Sequence, residues 1–273
     1  MKTIGKTLIT NLFKQREADS HKGSYGHALL IAGNKGKMGA AVIAAKSCLR
    51  SGVGLITVNV PETERSILQT TIPEAMVQMR SNKKFDFSIF NAIAIGPGIG
   101  VDKNSKRLLE YILNTKNCPL VLDADALNII SLNKKMFNDI PKGSIITPHP
   151  KEFDRLFGPH DLVEDRIKTA VKVAKEFAIT VVLKGHKTLV TDNGEAFVNT
   201  TGNAGLAKGG SGDALTGLIV AFLAQGYDSF NAAKIAVYLH GLAADLVLEN
   251  QSMESMLISD VIDCLGKAFK SIS

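Results

Sequence analysis

The segment Asn203-Ala204-Gly205-Leu206-Ala207-Lys208-Gly209-Gly210-Ser211-Gly212-Asp213-Ala214-Leu215-Thr216-Gly217 constrains this chain more than any other. Small residues run from Gly209 to Gly212 and a carboxylate follows. An apolar helical period then begins (Ala214, Leu215, Leu218, Ile219, Ala221, Phe222). Glycines let bare backbone N–H groups come close to a ligand. The first turn of a helix adds partnerless donors and a partial positive charge. Together these favour an anion, most often phosphate. Asp213, at the lip of such a site, is placed to act as a general base toward a hydroxyl that attacks phosphorus. Read alone, the segment also fits a flexible loop with Asp213 as helix cap.

Short apolar runs elsewhere alternate with helical periods. The runs are His27–Ala32, Leu55–Val60, Ala92–Ile95, Leu120–Leu122, Ser144–Thr147 and Thr180–Leu183. Helical spacing covers Ala40–Leu49, Lys106–Leu113 and Glu164–Phe177, and Asp213 to Phe269 reads as further helices. The alternation predicts α/β architecture: a central, mostly parallel sheet with helices on both faces. Asn193-Gly194, between Thr188–Thr191 and Ala196–Asn199, predicts a hairpin. No repeat, low-complexity tract or long linker interrupts the chain, so residues 1–273 read as a single domain, with 1–20 as a lead-in. Glycine and polar residues collect where strands should end. In open α/β sheets that edge binds ligands.

Net charge is +6 with a pI near 9.1, a surface that attracts anions. The lysines are scattered and no basic run interleaves with aromatics, which points to small phosphorylated ligands and away from nucleic acid. No stretch approaches the length of a membrane span, and Met1 to Phe13 lacks a signal-peptide core. The three cysteines, Cys48, Cys118 and Cys264, form no CxxC pair and read as buried, reduced thiols. A cytoplasmic location is expected.

Gly33-Asn34-Lys35-Gly36-Lys37-Met38-Gly39-Ala40-Ala41 opens a helix after the first run but is neither a Walker A loop nor GxGxxG. It fits either a ligand loop or a glycine-rich turn, and Gly96-Pro97-Gly98-Ile99-Gly100 is a similar case. Asp123 and Asp125 end another run, and either could face Mg²⁺ through water or cap the helix that follows. We expect one of them to be the cap. His149 is held between two prolines and can donate to an amide or phosphate, while Glu152 begins a helix. The spacing lacks HExxH or paired Cys/His, which argues against zinc. His21, His27, His160 and His240 are isolated and receive no role.

Taken in order, these segments resemble the ADP/ATP-dependent NAD(P)H-hydrate dehydratases of the ribokinase-like superfamily. The likeness rests on Lys22-Gly23-Ser24-Tyr25-Gly26, Gly39-Ala40-Ala41, Leu49-Arg50-Ser51-Gly52-Val53-Gly54 and Gly96-Pro97-Gly98-Ile99-Gly100. It continues through Asp123-Ala124-Asp125-Ala126-Leu127-Asn128, Thr147-Pro148-His149-Pro150-Lys151-Glu152, Lys184-Gly185-His186-Lys187-Thr188, Asn203-Ala204-Gly205 and Gly209–Asp213. Lys151 stands where relatives often carry glycine.

The resemblance implies a ribokinase-like fold and a repair lyase. Its substrates are NADHX and NADPHX, the hydrated forms of NADH and NADPH, whose hydroxyl is phosphorylated from ADP or ATP before it leaves. By that carry-over Asp213 is the base. Gly210, Ser211 and Gly212 stabilise the transferring phosphoryl. Lys184, Gly185, His186, Lys187 and Thr188, with Gly212, line the nucleotide side. Ala40, Ala41, Gly98, Gly100 and His149, with Asp213, line the hydrate side. Mg²⁺ accompanies the nucleotide, with Glu152 as a water-mediated contact. The resemblance further implies a stand-alone form that relies on a separate epimerase, and a homo-oligomer. One rival is a vitamin-precursor alcohol kinase of the same fold, against which His149 argues, since such kinases commonly carry Asn there. The other is a catalytically silent nucleotide-binding regulator, against which Asp213 argues.

Overall fold

A computed structural model describes residues 1–80, 86–115 and 118–273. In chain order the elements are β1 (Lys2–Ile4), α1 (Lys6–Leu12), β2 (His27–Ile31), α2 (Met38–Arg50), β3 (Leu55–Pro61), α3 (Arg65–Thr71) and β4 (Met76–Arg80). Then come β5 (Ala92–Ile95), α4 (Lys103–Thr115), β6 (Leu120–Leu122), α5 (Asp125–Leu132), β7 (Ile145–Ile146), α6 (Pro150–Phe157) and α7 (Val163–Phe177). The last are β8 (Thr180–Leu183), β9 (Leu189–Asp192), β10 (Glu195–Asn199), α8 (Ser211–Ala224), α9 (Ser229–Val247) and α10 (Ile258–Lys270).

The strands form one sheet in the order β1-β10-β9-β8-β7-β6-β5-β2-β3-β4. Pairing is parallel from β4 through to β8, and β9 runs antiparallel to both of its neighbours. Successive strand residues point to opposite faces, and both faces are covered. Ala28, Leu30, Val58, Ala94, Val121 and Val182 pack into a layer with α2, α8, α9 and α10. Leu29, Ile31, Ile93, Ile95, Leu122 and Val181 pack into the layer of α4, α5, α6 and α7. Double burial explains why these strands read as continuous apolar runs rather than alternating ones.

The hairpin turn forms as expected, with Asn193 and Gly194 at φ 42° and 86°, the double positive φ that such turns require. The sequence reading missed β1 and β4. β1 has only three residues, and β4 is an edge strand whose Met76 and Met79 stay exposed, so neither leaves a sheet-core signature. Of the cysteines only Cys48 is buried. Cys118 and Cys264 are half-buried, a correction to the expectation: Cys118 lies outside any element, ahead of β6, and Cys264 sits at the margin of the buried face of α10. Among the described residues no helix is long and apolar enough to cross a membrane.

The central pair of the first layer is α2 against α8, and one glycine sets their separation. A Cβ on Gly217 would stand 2.2 Å from the Ala44 carbonyl oxygen, so the helices touch backbone to backbone. This contact fixes the height of the α8 N-terminus over the sheet. Gly217→Ala must push the helices apart. The expected cost is about 2 kcal/mol or more, the range for overpacked cores, read as a lower urea midpoint at unchanged m-value.

Candidate active site

The carboxyl ends of β6, β7 and β8 face the N-terminus of α8 across a cavity of about 660 Å³. Asp123 follows β6, Lys184 follows β8, and Thr216 sits on α8. Lys184 Nζ donates to Asp123 Oδ1 at 2.7 Å, and Thr216 Oγ1 donates to Asp123 Oδ2 at 2.8 Å. Asp123 is 1% exposed, and a buried carboxylate persists only when it is paired and hydrogen-bonded in this way. Burial opposes the Lys184 charge, but Asp123 and then Glu152, whose Oε2 is 3.9 Å away, outweigh it and hold the ammonium above its ordinary range.

The turn between β6 and α5 is strained. Ala124 has φ 48° and ψ −117°, a left-handed conformation costly for a residue with a Cβ. Ala124, not Asp125, therefore occupies the helix cap, which corrects the expectation that one aspartate caps α5. Asp123 turns inward to Lys184 and Thr216. Asp125 turns the other way, its Oδ2 accepting the Gly100 N–H at 2.8 Å with Lys37 Nζ 4.0 Å off.

The α8 N-terminus has the form the sequence suggested. Gly210 takes the cap position at φ 95°, and a Cβ there would also come within 2.7 Å of Ile43 Cδ1. Among the described residues no acceptor takes the N–H groups of Gly212 and Asp213, so these donors are available to an anion. A Cβ on Gly212 would stand 3.3 Å from Lys184 Nζ, which sets a fixed cation against that helix end. Asp213 lies in the first turn and lines the cavity. Burial first, and then the charge of Asp123, push its carboxyl up to about 6 against the pull of Lys184. A base poised near neutrality suits proton abstraction.

His149 caps α6. Its Nδ1 accepts the N–H groups of Lys151 and Glu152 at 3.1 and 3.3 Å, and its own N–H donates to Glu152 Oε2 at 2.9 Å. With Nδ1 accepting, the neutral ring carries its proton on Nε2, 3.4 Å from Glu152 Oε1. Burial holds the imidazole below its ordinary range against the Glu152 charge.

Of the sequence-derived residues, His149, Glu152, Lys184, Gly185, His186, Thr188, Ser211, Gly212 and Asp213 line the cavity together. Gly98 and Ala40 lie outside that lining but against each other, a Cβ at Gly98 standing 3.1 Å from that of Ala40. Gly100, also outside the lining, donates its N–H to Asp125. The side chain of Ala41 is enclosed in the core, and Lys187 is exposed outside the cavity. The reading missed Asn199, Thr201, Val237 and His240, which also line it. Nothing local marks them. Asn199 ends an ordinary strand, Thr201 follows it, and His240 sits in a helix that is apolar nearly all round.

A family model described as NAD(P)H-hydrate dehydratase matches residues 28–267. The ADP-dependent (S)-NAD(P)H-hydrate dehydratase of Bacillus subtilis is 36% identical over 94% of this chain and 93% of its own length. The bifunctional NAD(P)H-hydrate repair enzyme of Moorella thermoacetica is 34% identical over 94% of this chain, which spans about half of it, 52%. Among solved structures, the ADP/ATP-dependent NAD(P)H-hydrate dehydratase from Bacillus subtilis, co-crystallised with ATP/Mg²⁺, superposes with a TM-score of 0.88 at 31% identity. That match covers 100% of this chain and 99% of the other. A solved ribokinase-like superfamily protein from Enterococcus faecalis shares the fold, with a TM-score of 0.87, 29% identity, and coverage of 100% and 96%.

The raised Asp213 carboxyl carries a stability consequence. Its native value near 6 lies above the unfolded value of about 3.9, so the folded state binds the proton more tightly, and stability falls as pH rises from about 4 to 6. Asp213→Asn removes that penalty. The variant is expected to be about 1–3 kcal/mol more stable than wild type at pH 7.5, with the advantage shrinking toward pH 4. Urea unfolding at both pH values checks the sign.

Proposed function

The chain belongs to the NAD(P)H-hydrate dehydratase family, and from that premise we propose that its site dehydrates NADHX and NADPHX with ADP or ATP as phosphoryl donor. The observation that carries the reading is the juxtaposition at α8: unclaimed N–H donors, a half-buried ammonium and a carboxylate poised near neutrality, all on one cavity. Hydroxide is a poor leaving group and phosphate a good one. Asp213 takes the proton from the hydrate hydroxyl as its oxygen attacks the terminal phosphorus of the nucleotide. The phosphorus–oxygen bond to the nucleotide breaks, and AMP leaves when the donor is ADP. The N–H groups of Gly212 and Asp213, with Lys184, stabilise charge on the transferring phosphoryl, whose catalysis is mostly positioning and electrostatics. The carbon–oxygen bond then breaks with loss of phosphate and a ring proton, restoring the dihydronicotinamide.

On this reading the nucleotide lies along Lys184 to Thr188, and the hydrate along Ala40, Gly98, Gly100 and His149. His149 Nε2–H is the donor available to a substrate amide.

The donor set fits Mg²⁺ in a limited way. Among the described residues no group of three or more His, Cys, Asp and Glu side chains is placed to hold a metal ion. Glu152 already accepts the His149 N–H. Glu152 would hold, through water, an ion carried by the nucleotide phosphates. When bound, Mg²⁺ supplies charge neutralisation on those phosphates. A companion epimerase activity is part of the proposal, and the match to a bifunctional repair enzyme supports it. The cytoplasm, where reduced nicotinamide nucleotides turn over, fits such an activity. A homo-oligomer remains part of the proposal as a superfamily habit.

The test is return of reduced-nicotinamide absorbance from hydrated NADH with Mg²⁺ and either ADP or ATP. Nucleotide-dependent recovery is expected, with an acidic limb in kcat/KM near pH 6, because Asp213 must be ionised to act. Asp213→Asn should lower kcat by about 10²–10⁴-fold, the usual share of a general base. A folded protein that binds adenine nucleotide and gives no recovery with either donor would instead be an alcohol kinase, identified by a substrate screen.

A further inference from the structure

The cavity has two chemically different ends. One end gathers the charged groups around Lys184 and the α8 N-terminus. The other is uncharged, walled by Leu206, Leu215, Val237 and Gly241, with Asn199, Thr201 and His240 among its polar side chains. A ligand with a charged phosphate tail and a flat, uncharged head matches that gradient.

His240 is the anomaly of the neutral end. It is 7% exposed and lines the cavity, yet its Nε2 is buried and has no hydrogen-bond partner among the described residues. Burial, and then the nearby Lys184 charge, bring the imidazole down to about 4, so the ring is neutral at physiological pH. A neutral imidazole carries one donor and one acceptor nitrogen. An orphaned buried nitrogen costs stability that a leucine of similar volume would not. Native interiors leave few such groups, and each calls for an explanation.

The segment around the ring is firmly held. Thr201 Oγ1 donates to the Tyr238 carbonyl at 2.8 Å. Asp245 accepts the Gly202 N–H at 2.8 Å and the Asn203 amide at 3.0 Å. These bonds tie α9 to the loop after β10 and hold His240 at the cavity wall.

We propose that His240 is a positioning residue for the base of the phosphate donor, its imidazole hydrogen-bonding the purine edge so that the phosphates reach Lys184 and the α8 N-terminus in register. The inference rests on the nucleotide site proposed above and adds a residue to it. A neutral ring suits an uncharged heterocycle, and either tautomer can serve an edge that both donates and accepts. Because the orphan nitrogen is closed from solvent, a small rotation of the ring accompanies binding.

Calorimetric binding of ADP and of pyrophosphate to the full chain, in Mg²⁺, tests this without requiring turnover. His240→Phe keeps the ring volume and removes both nitrogens. It is expected to weaken ADP about tenfold and leave pyrophosphate unchanged, whereas His240→Gln recovers part of the ADP affinity. Thermal melts of each variant establish that it is folded. If ADP binds His240→Phe as tightly as wild type, or if ADP and pyrophosphate weaken together, the proposal is overturned. If wild type itself binds no ADP, the nucleotide site falls, and this inference with it.

Discussion

The site depends on one buried ion pair. Lys184 and Asp123 join the ends of β8 and β6, and Thr216 brings α8 into the same bond network. Removing one partner would leave an uncompensated charge in the interior, the expensive half of any buried pair. The pair therefore acts as a register mark, because the strand ends and the helix N-terminus must meet at fixed spacing for both oxygens of Asp123 to be satisfied. The backbone contact of Gly217 with Ala44 sets the same spacing from the opposite side.

From this arrangement follows the character of Asp213. It shares a helix turn with a positive dipole end, which favours the carboxylate, but it is half-buried near Asp123, which disfavours it more. The result is a group that ionises near neutrality and is held there at some cost to the fold. Stability and reactivity pull in opposite directions at this position, as they commonly do at catalytic centres. The orphan nitrogen of His240 and the left-handed Ala124 belong to the same pattern: each is a local expense on the cavity wall.

Much of the molecule was legible in advance. The six strand-like runs became β2, β3, β5, β6, β7 and β8, and the Asn-Gly hairpin became β9 and β10, because double burial writes an apolar run into the sequence and positive φ writes Asn-Gly. The glycine run became the N-terminus of α8, since few other residues tolerate that cap. The edge strands escaped notice because an edge need not be apolar. The role of Asp125 was misjudged, because a cap and a loop clamp use the same carboxylate, and only the turn at Ala124 decides between them.

Local chemistry is thus fixed by the sequence: which segments are strands, where backbone N–H groups are bare, and which carboxylate stands beside them. Together with the order of its motifs, that was enough to indicate the family. Only the tertiary structure decided what those groups meet. The pairing of Asp123 with Lys184 across 61 positions, the basicity of Asp213 and the presence of His240 in the cavity arise from contacts between distant segments. Electrostatic coupling depends on separation in space and on exclusion of water, and neither is written in the spacing of residues along a chain.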